Sequence, residues 1–130
     1  MKKKIMLNLL LVGGGGFLGS VLRYLAGLLT QSLTGSTTLP YGTLAVNVLG
    51  CLIIGFLGGL AQHRQLFSPE LRLFVFTGML GGFTTFSTFG YDTLNIARGV
   101  DLPLALLNIL LHISLGLGAV SLGYWLSRWC

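Results

Sequence analysis

Charge is scarce in this chain: of 130 residues, 3 are Asp or Glu and 8 are Lys or Arg, and there are only 3 prolines and 2 cysteines. Each shortage removes a class of protein. Charged residues make up 8% of the sequence, against roughly 25% in ordinary soluble domains, so the composition does not supply a water-facing surface. Cys51 lies within an apolar run and Cys130 is the last residue, and neither has metal-ligand spacing. His63 and His112 fall in different apolar segments with no Ser-His-Asp or Cys-His set around them, which argues against an enzyme. The net charge of +5 comes from scattered clusters rather than one basic face with polar or aromatic neighbours, so no nucleic-acid partner is expected.

What remains is apolar residues (53%), 20 glycines and a mean hydropathy of +0.84. A spanning helix needs about 20 apolar residues. Hydropathy predicts four spans, at about residues 5–29, 41–61, 70–97 and 102–127. The expectation is an all-α membrane protein, one four-helix transmembrane domain over residues 1–130, multi-pass in the cell (inner) membrane. Lys2, Lys3 and Lys4 followed by apolar residues imitate a signal peptide, but the run outlasts an h-region and no Ala-x-Ala site follows, so a retained first helix is expected.

Punctuation supports these boundaries. A polar loop of Gln, Ser, Thr and Gly closed by Pro40 ends the first span. Ser68, Pro69 and Glu70 form a helix start with proline at the first helical position, and Arg98, Gly99 and Asp101 mark a turn before Pro103. With four spans, Lys2, Lys3, Lys4, Arg64, Arg72 and Arg128 share one side, which the positive-inside rule places in the cytoplasm with both termini. Arg98 is on the other side. Arg23 lies inside an apolar run, where an ionisable residue marks a functional candidate.

The glycines suggest close helix packing through small-xxx-small pairs: Gly15 with Gly19, Gly55 with Gly59, and Ser114 with Gly118. Gly14, Gly16 and Gly19 also spell a dinucleotide-binding pattern, but no βαβ unit surrounds them. The third span is different. From Gly81 to Phe89 it combines paired glycines with consecutive threonines, which oppose a continuous helix, so a break near its middle is predicted. Irregular backbone at membrane depth is tolerated only where it is buried in protein or lines a polar cavity. Carbonyls freed around Gly81 and Thr84 suit an alkali cation, and hydroxyl and amide hydrogens suit an anion. Phe86 and Phe89, three residues apart, can offer positive ring edges to a small anion. Thr43 with Asn47, and Asn108 with His112, each place polar groups at i and i+4 on otherwise apolar helices, suggesting a shared polar track.

These residues resemble a known family, the small bacterial fluoride channels of the Fluc or CrcB family, over nearly the whole chain. The resemblance is carried by Gly16, Gly19, Arg23 and Tyr24; by Gly42, Thr43, Leu44, Val46, Asn47 and Gly50; most specifically by the run from Gly81 to Phe89, followed by Asp92; and by Asn108 and Gly116. It implies a passive fluoride-exporting channel, an antiparallel dimer with two pores at the interface and one structural sodium ion at its centre. By position, Gly81 and Thr84 would offer sodium-binding carbonyls, Phe86 and Phe89 aromatic fluoride contacts, and Asn47 an amide donor. Thr43, Ser87 and Asn108 would line the polar route and Arg23 a pore entrance. His112 stands where the family commonly carries Ser, placing a bulky titratable group in that route. The excess of Lys and Arg on one side leaves open whether the partner is a second copy or an oppositely oriented paralogue. The alternative reading is a small four-helix proton-coupled multidrug exporter, which requires a carboxylate at membrane depth; the first two spans contain none.

Overall fold

The computed structural model of the protein describes residues 1–35, 39–64, 66–99 and 101–130. Residues 36–38 of the polar loop expected after the first span, and Gln65 and Val100 of the two expected turns, lie outside the described residues. Among the described residues there is no strand, and four helical segments are long and apolar enough to cross a membrane. Helix α1 covers Lys2–Thr34 and α2 covers Tyr41–Arg64. The third segment, Pro69–Gly99, comprises α3 (Pro69–Arg72), a π-helical run Leu73–Leu80, the short turn α4 (Gly81–Phe83) and α5 (Phe86–Gly99). Helix α6 covers Leu102–Leu126.

Helix α1 runs five residues past the apolar span, and the hydroxyls of its polar end bond back to the helix. Thr30, Ser32 and Thr34 donate their hydroxyls to the carbonyls of Ala26, Leu29 and Thr30 at 2.8, 2.8 and 2.9 Å, turning hydrophilic residues into helix-compatible ones. The helix stops at Gly35, whose φ of 60° is the left-handed C-cap conformation glycine adopts without steric penalty. The start of α3 follows the sequence reading: Pro69 occupies the first turn and the Ser68 hydroxyl accepts from the Leu71 amide at 3.2 Å.

Two helix pairs build the bundle, α1 against the first half of the third segment and α2 against α6. Backbone meets backbone in both. A Cβ at Gly78 would stand 2.8 Å from the Val12 carbonyl oxygen and one at Gly82 would stand 2.6 Å from that of Gly16, while Gly15 and Gly19 face the backbone of Phe74 and Met79 from the other side. In the second pair Gly55 faces Val120, and a Cβ at Gly123 would lie 2.8 Å from the Phe56 nitrogen. Small residues permit this approach where lipid supplies no hydrophobic drive between helices.

The Gly15/Gly19 and Gly55/Gly59 pairs are therefore at packed surfaces, but Ser114 and Gly118 are exposed on the subunit, with nothing near Gly118. The inner face of α6 is Ala105, Asn108, Gly116 and Gly123. Ser114 and Gly118 lie two residues from Gly116, roughly 200° around the helix, so they point away.

Burial is inverted relative to a soluble protein. Asn108 and Ser127 are buried as deeply as Val46, whereas Phe17, Leu10 and Leu110 project outward, the arrangement expected when lipid replaces water as the surrounding solvent. Gly19→Ala should lower the thermal midpoint of the detergent-solubilised protein, because overpacking two backbones costs about 1–3 kcal/mol. Gly13→Ala, with nothing within 4 Å, should leave it unchanged or raise it slightly. Equal midpoints for the two variants would contradict the packing described.

Candidate functional site

The break falls at Thr84 and Thr85, between α4 and α5. Thr84 leaves the helix with φ −82° and ψ 157°. Its amide and its hydroxyl both donate to the Leu80 carbonyl, at 3.0 Å each, closing the end of the first half. Thr85 opens the second half as an N-cap. Its hydroxyl oxygen accepts from the Thr88 amide at 3.2 Å, the spacing of a cap to the third helical residue, and donates to the Thr88 hydroxyl at 2.9 Å.

Two extended peptide groups at membrane depth need partners, and α2 supplies them through one side chain. Asn47 accepts from the Thr85 amide through Oδ1 at 2.8 Å and donates through Nδ2 to the Thr85 carbonyl at 3.0 Å. The primary amide thus takes the place of the Gly81 carbonyl as acceptor for the Thr85 amide and adds a donor at the Thr85 carbonyl. This changes the reading of Asn47: one of its two amide hydrogens holds the backbone, and the other remains for a further acceptor.

The same bonds identify which carbonyls the break releases. In an unbroken α-helix the Gly81 carbonyl would receive the Thr85 amide and the Thr84 carbonyl the Thr88 amide. Here those amides go to Asn47 and to the Thr85 hydroxyl. The restart at Phe86 takes the α-helical donors from four carbonyls, those of Gly81, Gly82, Phe83 and Thr84; the two positions expected to offer oxygen to a cation, Gly81 and Thr84, are the first and last of them. Among the described residues no group of three or more His, Cys, Asp and Glu is placed to hold a metal ion.

On one side of the break a cavity of about 730 Å³ opens at the end of the bundle away from the termini. Arg23, Thr43, Thr85, Thr88, Asp92 and Asn95 line it. Thr43 donates to an Asp92 carboxylate oxygen at 2.8 Å, joining α2 to α5 across the cavity wall. Arg23, expected at an entrance, is on its wall. Asn47, one turn after Thr43, reaches the break at its floor through Thr85.

Phe89, Asn108 and His112 form a second cluster, on the seam between α5 and α6. The Phe89 ring lies 4.3 Å from that of His112, tilted by 36°. Asn108, 1% exposed, donates to the Thr93 hydroxyl at 2.8 Å, and Thr93 donates to the Phe89 carbonyl at 2.7 Å. Phe86 does not join this cluster fully. Its ring centroid is 5.5 Å from that of Phe89, but the side chain is 83% exposed and projects from the subunit. Ser87 is exposed beside it, its oxygen 3.3 Å from that of Thr85.

The subunit therefore gathers the candidates into two groups separated by α5, with Phe86 and Ser87 on its surface. Thr85, Thr88 and Thr93 were not singled out from sequence. Thr85 had a signal, a threonine three residues before another at a helix restart; Thr93 had none, since its role depends on Asn108 facing it from α6.

Replacing Asn47 by Leu leaves the Thr85 amide and carbonyl without their partner and should destabilise the folded subunit by about 2 kcal/mol or more, at 1–3 kcal/mol per unsatisfied buried group. Asn47→Asp retains the acceptor for the Thr85 amide but turns an oxygen toward the Thr85 carbonyl, so it should also be destabilised. Thermal unfolding followed by size exclusion reads both. Wild-type stability in the Leu variant would remove Asn47 from its bridging role.

Comparison with known proteins agrees with this architecture. Residues 10–124 match the family described as CrcB-like protein, Camphor Resistance (CrcB). A relative from Clostridium perfringens named fluoride-specific ion channel FluC is 42% identical over 119 residues, 92% of each chain. Proteins of the same name from Rhizobium meliloti and Elusimicrobium minutum are 45% identical over 121 residues (93% of this chain, 96% of the relative) and 48% identical over 116 residues (88% of each). A four-span membrane fold, a broken third span and matches of this extent make the chain a member of the CrcB family.

Proposed function

We propose that this protein is a subunit of a passive, fluoride-selective channel of the cell inner membrane and not an enzyme. The observation that carries the reading is the clamped break in the third segment, a concentration of hydroxyl, amide and released carbonyl groups where lipid-facing helices have none. The names of relatives that cover nearly the whole chain supply the ion. Fluoride is small, hard and strongly hydrated, so it needs hydrogen-bond donors in place of water and a narrow apolar wall against larger anions. Ser87 and the second amide hydrogens of Asn47 and Asn108 are the donors, Thr43 lines the route with its own hydrogen given to Asp92, and Arg23 is the attracting charge in the outer cavity. Phe86 and Phe89 provide ring edges.

One subunit does not complete this pathway. Phe86, Ser87 and Gly81 all lie at the subunit surface, and two backbone carbonyls are too few to hold an alkali cation. A second, antiparallel subunit would cover Phe86 and double the carbonyl set of Gly81 and Thr84, giving a sodium site at the interface. The second subunit is a copy or an oppositely oriented paralogue. The ends of α2 and the chain meet on one side, where Arg64 donates to the Cys130 carbonyl at 2.6 Å, so the lysine and arginine excess belongs to one face.

Liposomes containing only this purified protein should release fluoride and retain chloride. Equal efflux of both ions contradicts the reading, as does no efflux above protein-free vesicles when an oppositely oriented paralogue is reconstituted with it; efflux from this protein alone also shows that no paralogue is needed. Phe86→Ile and Phe89→Ile keep apolar bulk but remove the ring quadrupole and should each lower flux about tenfold, the equivalent of an aromatic contact of about 1.4 kcal/mol. Wild-type flux in both would make the rings packing alone. Purification with sodium replaced by a large organic cation should weaken the dimer, and unchanged assembly and flux would dismiss the bound ion.

A further inference from the structure

His112 is the one ring on the α5–α6 seam whose chemistry the fold leaves half specified. It sits in the interior of α6, about 15 Å from the nearer helix end at 1.5 Å per residue. Its Nδ1 is 3.0 Å from the Asn108 carbonyl oxygen. A carbonyl only accepts, so Nδ1 carries a proton. In the neutral ring Nε2 is then a bare lone pair. That atom is buried and has no partner among the described residues, and the ring is packed against Phe89.

We propose that His112 is a proton-dependent anion-binding group: neutral, it presents a lone pair that repels fluoride beside Phe89; protonated, it presents an N–H donor and a positive charge. The inference rests on the channel reading, in which Phe89 contacts the permeating ion. The imidazolium is further supported by the Phe89 face, to which a cation is attracted. The fixed Nδ1 bond is what makes the switch complete, because tautomer exchange, the other way to turn Nε2 into a donor, would put two acceptors face to face at Asn108.

Other titratable groups are few. Helix α6 itself carries only Tyr124, two turns beyond Gly116. On α5 they are Tyr91, Asp92 and Arg98, with Asp92 bonded to Thr43 and the other two exposed. On α2 they are Tyr41, His63 and Arg64 near its ends, and Cys51, whose sulfur faces Gly116 one turn after His112. His63 is exposed and packs against Tyr124, far from the seam, which makes it the internal control.

The test is fluoride efflux from proteoliposomes with equal pH inside and out, a potassium ionophore to carry countercharge, and protein-free vesicles to subtract leakage of the undissociated acid. Between pH 8 and pH 5.5 wild-type flux should rise roughly fivefold. His63→Gln should retain that rise, and His112→Ser and His112→Gln should conduct with a flat profile. Wild-type flux that is flat with pH, or a rise that persists in both His112 variants, overturns the proposal while leaving the channel reading intact; absence of fluoride flux at every pH, with an oppositely oriented paralogue reconstituted as well, overturns both. Nitrogen-15 spectra of the ring-labelled wild-type protein in bilayers give a check independent of the variants. A neutral ring protonated at Nδ1 is expected at pH 8, with the Nε2 resonance of the protonated ring moved by fluoride at pH 5.5. A neutral ring protonated at Nε2, or no response to fluoride, contradicts it.

Discussion

The two hydrogen bonds between the Asn47 amide and the Thr85 peptide are the constraint on which the rest of the site depends. A helix interrupted in the middle of a membrane exposes amide and carbonyl groups that lipid cannot satisfy. Asn47 meets both needs from a neighbouring helix, with a group of matching geometry, and so fixes where the third segment stops and restarts. Once Thr85 is held, its hydroxyl can cap α5, the carbonyls from Gly81 to Thr84 lose their helical donors, and Phe86 and Phe89 lie in the first turn of the new helix. A polar residue on α2 thereby sets the positions of groups on two other elements.

The surrounding bundle makes that bridge possible. Backbone contacts at Gly15, Gly19, Gly78 and Gly82 draw the first half of the third segment against α1, and those at Gly55 and Gly123 draw α6 against α2. Gly50, one turn from Asn47, faces the Thr84 side chain, so the same helix that clamps the break also makes room for it. Polar bonds then work at short range: Thr43 to Asp92 on the cavity side, Asn108 to Thr93 on the seam side. Large apolar side chains are left on the outside of the bundle.

Much of this was legible in the sequence, for reasons that differ by element. Spans are long hydropathy signals, and the restart at Pro69 is a local capping pattern, so both follow from neighbouring residues. The break was readable from paired glycines and threonines because it is a failure of local helix propensity. Hydropathy understated α1 because it measures membrane depth, whereas the helix continues through the polar residues Thr30, Ser32 and Thr34, whose hydroxyls are satisfied by its own carbonyls. The π-helical run Leu73–Leu80 carried no sequence signal; its composition is that of an ordinary apolar helix. The partners of Asn47 and Asn108 lie 38 and 15 residues away, and a single sequence shows that a polar side chain in lipid needs a partner without showing which. Ser114 and Gly118 illustrate the converse, a packing motif by spacing that faces away from the packed surface of its subunit.

The central claim is that the break is a rigid structure clamped at Thr85 and not a loosely unwound stretch, and amide hydrogen exchange at Thr85 in bilayer-embedded wild-type protein tests it most directly. An unwound residue beside a polar cavity exchanges quickly, since water reaches it and no helical carbonyl protects it. The account predicts protection of the Thr85 amide comparable to that of the α2 core around Val46. Exchange as fast as in the loops at the bundle ends would contradict it.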